Sequence, residues 1–148
     1  ITDGTAWELN PMQGPRVLEG AEKAAMQRQA TIEPWLNWKD YYTEGKVEDG
    51  DGVYKVTFTP KEGDPEVYMF DKESGLLTGS ESMVQGMTST ATIGDYKEID
   101  GVKVATKIEQ AGGQMGTVII SFDEITNNTE IDKSKFTLPD EIKALAGN

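Results

Sequence analysis

Histidine and cysteine are both absent from this chain of 148 residues, so any chemistry must come from other side chains. Their absence excludes Ser-His-Asp and Cys-His catalytic arrangements, thiolate zinc sites, iron–sulfur clusters and disulfides. The chain has 26 acidic residues against 14 Lys and Arg, so carboxylates are the reactive groups it holds in quantity. The two chemistries to test are therefore calcium binding and carboxylate-based hydrolysis.

The segment Glu48-Asp49-Gly50-Asp51-Gly52 has the acidic, glycine-rich character of a calcium loop. Such a loop needs alternating oxygen ligands, a glycine at its sixth position and a bidentate glutamate at its twelfth. Counted from Asp49, the twelfth position is Pro60. Asp and Gly also favour tight turns, and the sequence therefore predicts a solvated hairpin turn here.

Two carboxylate pairs have the composition of a glycosidase site, namely Glu66 with Asp71 and Asp123 with Glu124. Such a pair acts only when its members face each other about 5–10 Å apart across a cleft. Spacing along the chain does not establish that geometry, so a hydrolase is the least favoured hypothesis. We predict no enzyme activity, no catalytic residue, no metal site and no cofactor.

The formal net charge of −12 limits the classes of partner. Nucleic acids and anionic membrane surfaces are bound by clustered Lys and Arg, so we expect no nucleic-acid partner and no binding to such membranes. The acidic residues are spread along the chain, which is typical of a solvated globular surface. There is also no apolar run of about 18 residues, the length that a membrane-spanning helix needs.

Two helices are predicted early in the chain. Residues 19–31 combine good helix formers with glutamates near the start, where they suit the helix dipole. A second helical segment is predicted from Pro34 to Tyr42, because proline is favourable in a first helical turn. Within it Trp35, Trp38 and Tyr42 fall at i, i+3 and i+7, which would place three aromatic rings on one face.

The rest of the chain alternates apolar and polar residues in short runs separated by turn signals, which is the pattern of β-strands. A first strand is predicted within 3–11 and a second at 15–18. The remaining predicted strands span 53–59, 66–70, 76–84, 89–99, 102–109 and 116–125. Asp100-Gly101 is a hairpin signal between two of them. One helical turn is predicted at 140–146.

Strands in meander order with two helices near the start predict an α+β fold, in which helices cover one face of an antiparallel sheet. The chain is long enough for one domain, and we see no linker that would divide it. Six methionines and the aromatic segment leave two interpretations open. They could line an adaptable apolar cavity, or they could simply pack a helix onto the sheet.

The order of four short motifs resembles the LolA-like family of periplasmic lipoprotein carriers and outer-membrane lipoprotein-sorting proteins. The motifs are Asp3-Gly4-Thr5-Ala6-Trp7-Glu8-Leu9-Asn10-Pro11, Tyr54-Lys55-Val56-Thr57-Phe58-Thr59-Pro60-Lys61, Asp71-Lys72-Glu73-Ser74-Gly75-Leu76 and Asp132-Lys133-Ser134-Lys135-Phe136-Thr137-Leu138-Pro139. They are spaced over nearly the whole chain. The family's N-terminal helix and first strands, which precede the first motif, are missing from this sequence.

The resemblance implies a curved antiparallel sheet, an incomplete β-barrel with two short helices on its concave face. It implies that residues 1–148 are one domain, about the C-terminal two-thirds of the family module, trimmed from an exported protein of the periplasm or cell envelope. It implies no enzyme but a carrier whose cargo is a lipid or a lipoprotein acyl chain. The expected apolar lining is Trp7, Leu9, Met26, Trp35, Leu36, Trp38, Phe58 and Met69.

Either the N-terminal part has been lost, or this chain completes its sheet with another chain. An exposed first strand is a pairing edge, and we expect self-association or strand exchange through it. The alternative hypothesis is a structural or protein-interaction module of a larger envelope protein. In that case the chain's own side chains would fill the interior, and a partner protein of the envelope would dock on an edge or a helix.

Overall fold

The computed structural model describes residues 1–11, 13–31, 36–84, 86–112 and 116–146. The fold is α+β and mainly antiparallel sheet, as the sequence predicts. In chain order its elements are β1 (Trp7–Asn10), β2 (Gly14–Val17), α1 (Gly20–Ala30), β3 (Tyr42–Asp49), β4 (Val53–Pro60), β5 (Glu66–Asp71), β6 (Leu77–Val84), β7 (Met87–Ile99), β8 (Val102–Gly112), β9 (Thr117–Ser121) and α2 (Asp140–Ala146). Single 3₁₀ turns lie at Trp38–Asp40 and Lys133–Phe136.

The chain forms two compact units. The hairpin–helix unit comprises the described residues of Ile1–Tyr41, Lys61–Gly63 and Glu130–Asn148. The sheet unit comprises the described residues of Tyr42–Pro60 and Asp64–Thr129. Each unit is described separately below.

The sheet unit is built on one seven-stranded antiparallel sheet in the order β3-β4-β5-β6-β7-β8-β9. Each strand pairs with the next along the chain, which confirms the predicted meander. Among the described strands, β3 and β9 form the two edges, so the sheet is open. Most predicted strands lie within one or two residues of their observed bounds, while the last strand ends at Ser121 instead of Ile125.

Two predicted Asp-Gly turns have the geometry that this dipeptide favours. Asp100 and Gly101 have φ of 50° and 81°, and they join Ile99 to its cross-strand partner Val102. Asp3 and Gly4 have φ of 48° and 77° between Thr2 and Thr5, whose main chains exchange two hydrogen bonds. Positive φ at both central residues is the signature of a type I′ turn, which matches the twist of paired strands.

The predicted aromatic helix from Pro34 to Tyr42 is wrong in its described part. Trp38 begins a 3₁₀ turn of three residues, and Tyr42 is the first residue of β3. The ring of Tyr42 packs 4.7 Å from that of Phe58, centroid to centroid, and its hydroxyl donates to Glu66. These contacts bury Tyr42 in the sheet unit, and such tertiary packing overrides a local helical spacing. Pro34 and Trp35 lie outside the described residues.

The hairpin–helix unit combines the β1–β2 hairpin with α1 and α2. Its buried apolar side chains are those of Ala6, Leu18 and Ile142, and α2 packs against β2. Helix α1 confirms the predicted helix, but its buried side chain is Arg28, whose guanidinium donates to the carbonyl of Glu62 at 3.2 Å. None of the described helices is long and apolar enough to cross a bilayer.

Candidate functional site

The register of the sheet unit assigns every strand residue to one of two faces, because directly paired residues point to the same side. One continuous row crosses all seven strands. It runs Val47, Val56, Tyr68, Ser80, Ala91, Gln110, Val118. Residues two positions away along each strand point to the same side of the sheet, and they form further rows parallel to this one.

These rows define what we call the apolar face. Its large apolar members include Val47, Tyr54, Val56, Phe58, Tyr68, Phe70, Leu77, Ile93, Ile108, Val118 and Ile120. Three isoleucines, 93, 108 and 120, pair in sequence across β7, β8 and β9. Apolar side chains therefore extend across most of the width of the sheet on this side.

The opposite side, which we call the polar face, is dominated by charged and hydroxyl side chains. Its two rows are Lys46, Thr57, Val67, Glu81, Thr90, Ala111, Thr117 and Glu48, Lys55, Met69, Gly79, Thr92, Glu109, Ile119. An antiparallel sheet with one apolar and one solvated side is the usual arrangement when the apolar side covers something.

The apolar face is only partly covered by the described residues. Phe58 is 9% exposed, while Ile120 is 41% exposed and Val118 and Tyr54 are similarly open. Apart from Tyr42, Phe58 and Pro60, the buried apolar side chains of the described residues belong to the hairpin–helix unit. The exposed side chains among the members named above lie toward the two edges of the sheet, on β3–β4 and on β9. Most of the named apolar side chains between them are half-buried.

An aromatic cluster with a carboxylate occupies one end of the apolar face. The hydroxyls of Tyr42 and Tyr68 each donate to Glu66 Oε2 at 2.9 Å, and the Phe58 ring packs between the two tyrosine rings. Burial raises the pKa of Tyr68 far above its ordinary value, and the adjacent Glu66 charge adds to the effect. Both phenols donate hydrogen bonds to one carboxylate oxygen, so the cluster can orient the Glu66 carboxylate.

The register separates the two lining residues that the sequence predicts in this unit. Phe58 lies on the apolar face, whereas Met69 lies on the polar face opposite Gly79 and Lys55. The structure therefore does not bring Phe58 and Met69 into one lining. Two residues on neighbouring strands point to opposite sides of the sheet when they lie an odd number of positions away from being directly paired. The pairing of β4 with β5 was therefore needed before Phe58 and Met69 could be assigned to a face.

The other predicted lining residues belong to the hairpin–helix unit. Trp7 and Leu9 share one side of the β1–β2 hairpin, opposite Val17 and Pro15, as their alternation predicts. The indole Nε1 of Trp7 is buried without a hydrogen-bond partner in the described structure. Met26 is half-buried on α1, and Leu36 is 75% exposed.

Trp38 is half-buried, and Lys39 Nζ lies 5.6 Å from its ring centroid. Trp35 lies outside the described residues. The hairpin–helix unit has an open pocket of about 490 Å³, and none of the predicted lining residues that the structure describes lines it. Residues from the end of β2, the start of α1 and the end of α2 contribute to its wall. Its lining is Gly4, Thr5, Ala6, Val17, Leu18, Glu19, Gly20, Lys23, Leu145 and Ala146.

The carboxylate pair Glu66 and Asp71 does not form a hydrolase site. Both residues are on β5, where an odd separation places their side chains on opposite faces, about 16 Å apart along the strand. Glu66 accepts from two tyrosines, and Asp71 accepts from the main chain and hydroxyl of Ser74 in the following turn. Those two hydrogen bonds lower the pKa of Asp71.

The acidic turn that resembles a calcium loop joins β3 to β4, as a hairpin turn should. The ammonium of Lys72 contacts the Asp49 carboxylate and lies 2.7 Å from the Gly50 carbonyl oxygen. It also lies 5.3 Å from the centroid of the Tyr54 ring. A lysine therefore supplies the positive charge at this turn. The position of the segment between β3 and β4 confirms the predicted hairpin turn.

Comparison of the chain with protein-family models, with curated proteins and with solved structures gave no match.

Most of the apolar face, including all of its part in the three C-terminal strands, was not included in the predicted lining. Ala91, Ile93, Ile108, Val118 and Ile120 come from the three C-terminal strands. Their alternation is visible in the sequence, and it predicts correctly that Val118 and Ile120 share a side. Only the cross-strand register determines which side of each strand belongs to a given face of the sheet.

Proposed function

We propose that this chain is a non-enzymatic binding domain that carries lipid or lipoprotein acyl chains on the apolar face. The observation that carries the proposal is the partly exposed apolar face opposite a polar one. Exposed contiguous apolar surface is uncommon on proteins that work alone, and it marks contact sites for ligands or partners.

The dimensions of the apolar face suit an extended hydrocarbon chain. The row from Val47 to Val118 crosses seven strands, which corresponds to about 29 Å at about 4.8 Å per strand spacing. A fully buried methylene contributes about 0.8 kcal/mol, so even partial burial of a long acyl chain yields useful affinity. Such binding needs no catalytic group.

The motif order that resembles LolA-like carriers supports the same proposal. In that family an incomplete barrel shields acyl chains between membranes. We propose accordingly that the sheet is the curved, incomplete barrel of such a carrier, with helices on its concave side. The cell envelope is the corresponding location, and the strongly acidic composition would keep a loaded carrier apart from anionic lipid surfaces.

A fluorescent long-chain fatty acid provides the first test. We expect the probe to bind the wild-type chain and Ile120→Glu to weaken binding at least about tenfold, because a carboxylate on the apolar face is costly to desolvate. Ile119→Glu is the matched control, since it makes the same change on the adjacent, 58% exposed residue of the polar face. Equal loss in both variants, or no binding to the wild type, would contradict the proposal.

The second candidate function is a protein-interaction module of a larger envelope protein. The exposed edge strand β9 favours it, because such an edge is a template for strand pairing. A self-filled interior is less consistent with the partial exposure of Val118 and Ile120 on the apolar face. Failure of the fatty-acid probe together with capture of a partner strand at β9 would favour this alternative.

A further inference from the structure

The two edges of the seven-stranded sheet differ in their chemistry. The β3 edge carries Glu44, Lys46, Glu48 and Asp49, and charged side chains of this kind protect an edge from pairing. The β9 edge has the sequence Thr-Val-Ile-Ile-Ser, with no charge and no proline, and all five residues are exposed. One edge of the same sheet is therefore protected and the other is open.

The free main-chain groups of β9 can be assigned from its pairing with β8. Phe122 N donates to Thr106 O at 2.9 Å, which marks this as a hydrogen-bonded pair. Hydrogen-bonded and non-hydrogen-bonded pairs alternate in an antiparallel ladder, so Val118 and Ile120 also direct their amides and carbonyls toward β8. Thr117, Ile119 and Ser121 direct theirs toward the open edge.

We propose that β9 pairs antiparallel with β9 of a second copy of this chain, about a two-fold axis at Ile119. Ile119 then lies opposite itself, and Thr117 lies opposite Ser121 of the other copy. All of these residues have outward main-chain groups, so the pairing forms about six hydrogen bonds. Val118 lies opposite Ile120, which continues the apolar face from one copy to the other.

A second copy fits this edge because the strand is its own complement. It is rich in β-branched residues, which favour pairing, and it has no charge that would select a foreign strand. The nearest acidic residue that follows it is Asp123. The two copies of Asp123 would lie about 26 Å apart, beyond the Debye length of about 8 Å at physiological salt, so their repulsion is weak.

The predicted association is weak and depends on concentration. A five-residue edge buries less than the 1,200–2,000 Å² of a stable interface, so we expect a dissociation constant on the order of 0.1–1 mM. The fatty-acid titration above is performed at concentrations where the chain is monomeric, so its outcome and that of the dimer test are distinguishable.

Sedimentation velocity between about 10 µM and about 1 mM tests the proposal, with Ile119→Lys and Val47→Lys as a matched pair. Both change an exposed apolar residue on an edge strand of the same sheet, and both alter the net charge by the same amount. We expect dimer in the wild type and in Val47→Lys, and monomer in Ile119→Lys. Monomer at every concentration, or equal loss in both variants, would overturn the proposal.

Amide hydrogen exchange at the same concentrations locates the contact. Thr117, Ile119 and Ser121 should gain protection as the concentration rises, because only their amides face the open edge. Val118 and Ile120 should keep the protection that β8 already gives them. Protection confined to other strands would show that copies associate elsewhere, which would also overturn the proposal.

Discussion

Phe58 is the residue on which the packing of the sheet unit most depends. Its ring contacts those of Tyr42 and Tyr68, and only 9% of it is exposed. Truncation of a buried phenylalanine removes its transfer free energy and leaves a cavity. The motif that contains it was identified from sequence, but its aromatic partners became visible only with the strand register.

Phe58→Ala should lower the free energy of unfolding by about 3–5 kcal/mol, measured by urea titration. Val47→Ala is the control, because Val47 is 64% exposed and its truncation should change stability by less than about 0.5 kcal/mol. A loss below about 1 kcal/mol for Phe58→Ala would mean that the aromatic cluster is not a packed core.

Tyr68 makes the sheet unit less stable as the pH becomes alkaline. Its pKa is raised in the folded chain, so the folded state retains a proton that the unfolded state loses above about pH 10. Stability is therefore complete below that pH and falls as the pH rises, by at most about 1.4 kcal/mol per pH unit for one proton.

Tyr68→Phe should make this alkaline loss less steep, as measured by urea unfolding at pH values from 8 to about 11.5. The variant lacks the phenol whose proton is retained, so one contribution to the slope disappears. Parallel pH profiles for the wild type and the variant would contradict the assigned environment of Tyr68.

At the scale of elements, strands and turns were predictable because their signals are local. Alternation located β4 to β8, and Asp3-Gly4 and Asp100-Gly101 located two turns with positive φ. The helix predicted over Trp38 and Tyr42 was wrong because the packing of Tyr42 against Phe58 outweighed the helical spacing of the aromatic residues. The assignment of Phe58 and Met69 to opposite faces depends on register, which is not a local property.

Gly112 at the end of β8 tests how closely β7 and β8 approach. Its φ is +115°, and a Cβ there would overlap the carbonyl oxygen of Thr88 and lie 3.0 Å from Ser89 Cα. Gly112→Ala should therefore cost at least about 2 kcal/mol of stability, measured by thermal unfolding with calorimetry.

Gly94→Ala is the matched control within the same pair of strands. Gly94 lacks the positive φ of Gly112, and a Cβ there has nothing within 4 Å, so its effect should stay within about 0.5 kcal/mol. Equal effects of the two substitutions would contradict the close approach of β7 to β8 at Gly112.

At the scale of the whole molecule, alternation and the order of elements predicted the class of fold but not the extent of the apolar face. The α+β class followed from alternation and helix formers, whereas the apolar face required all six strand registers of the sheet. The resemblance to LolA-like carriers suggested apolar residues near Trp7 and Phe58. The sheet adds the apolar side chains of its C-terminal strands, among them Ala91, Ile108 and Ile120.

Paramagnetic relaxation by a spin-labelled long-chain fatty acid tests the central proposal most directly. Methyl signals of Ile93, Ile108 and Ile120 on the apolar face should broaden when the labelled chain binds. The methyl signals of Ile119, on the polar face of the same strand, should stay sharp. Equal broadening on both faces, or none on the three isoleucines, would contradict acyl-chain binding on the apolar face.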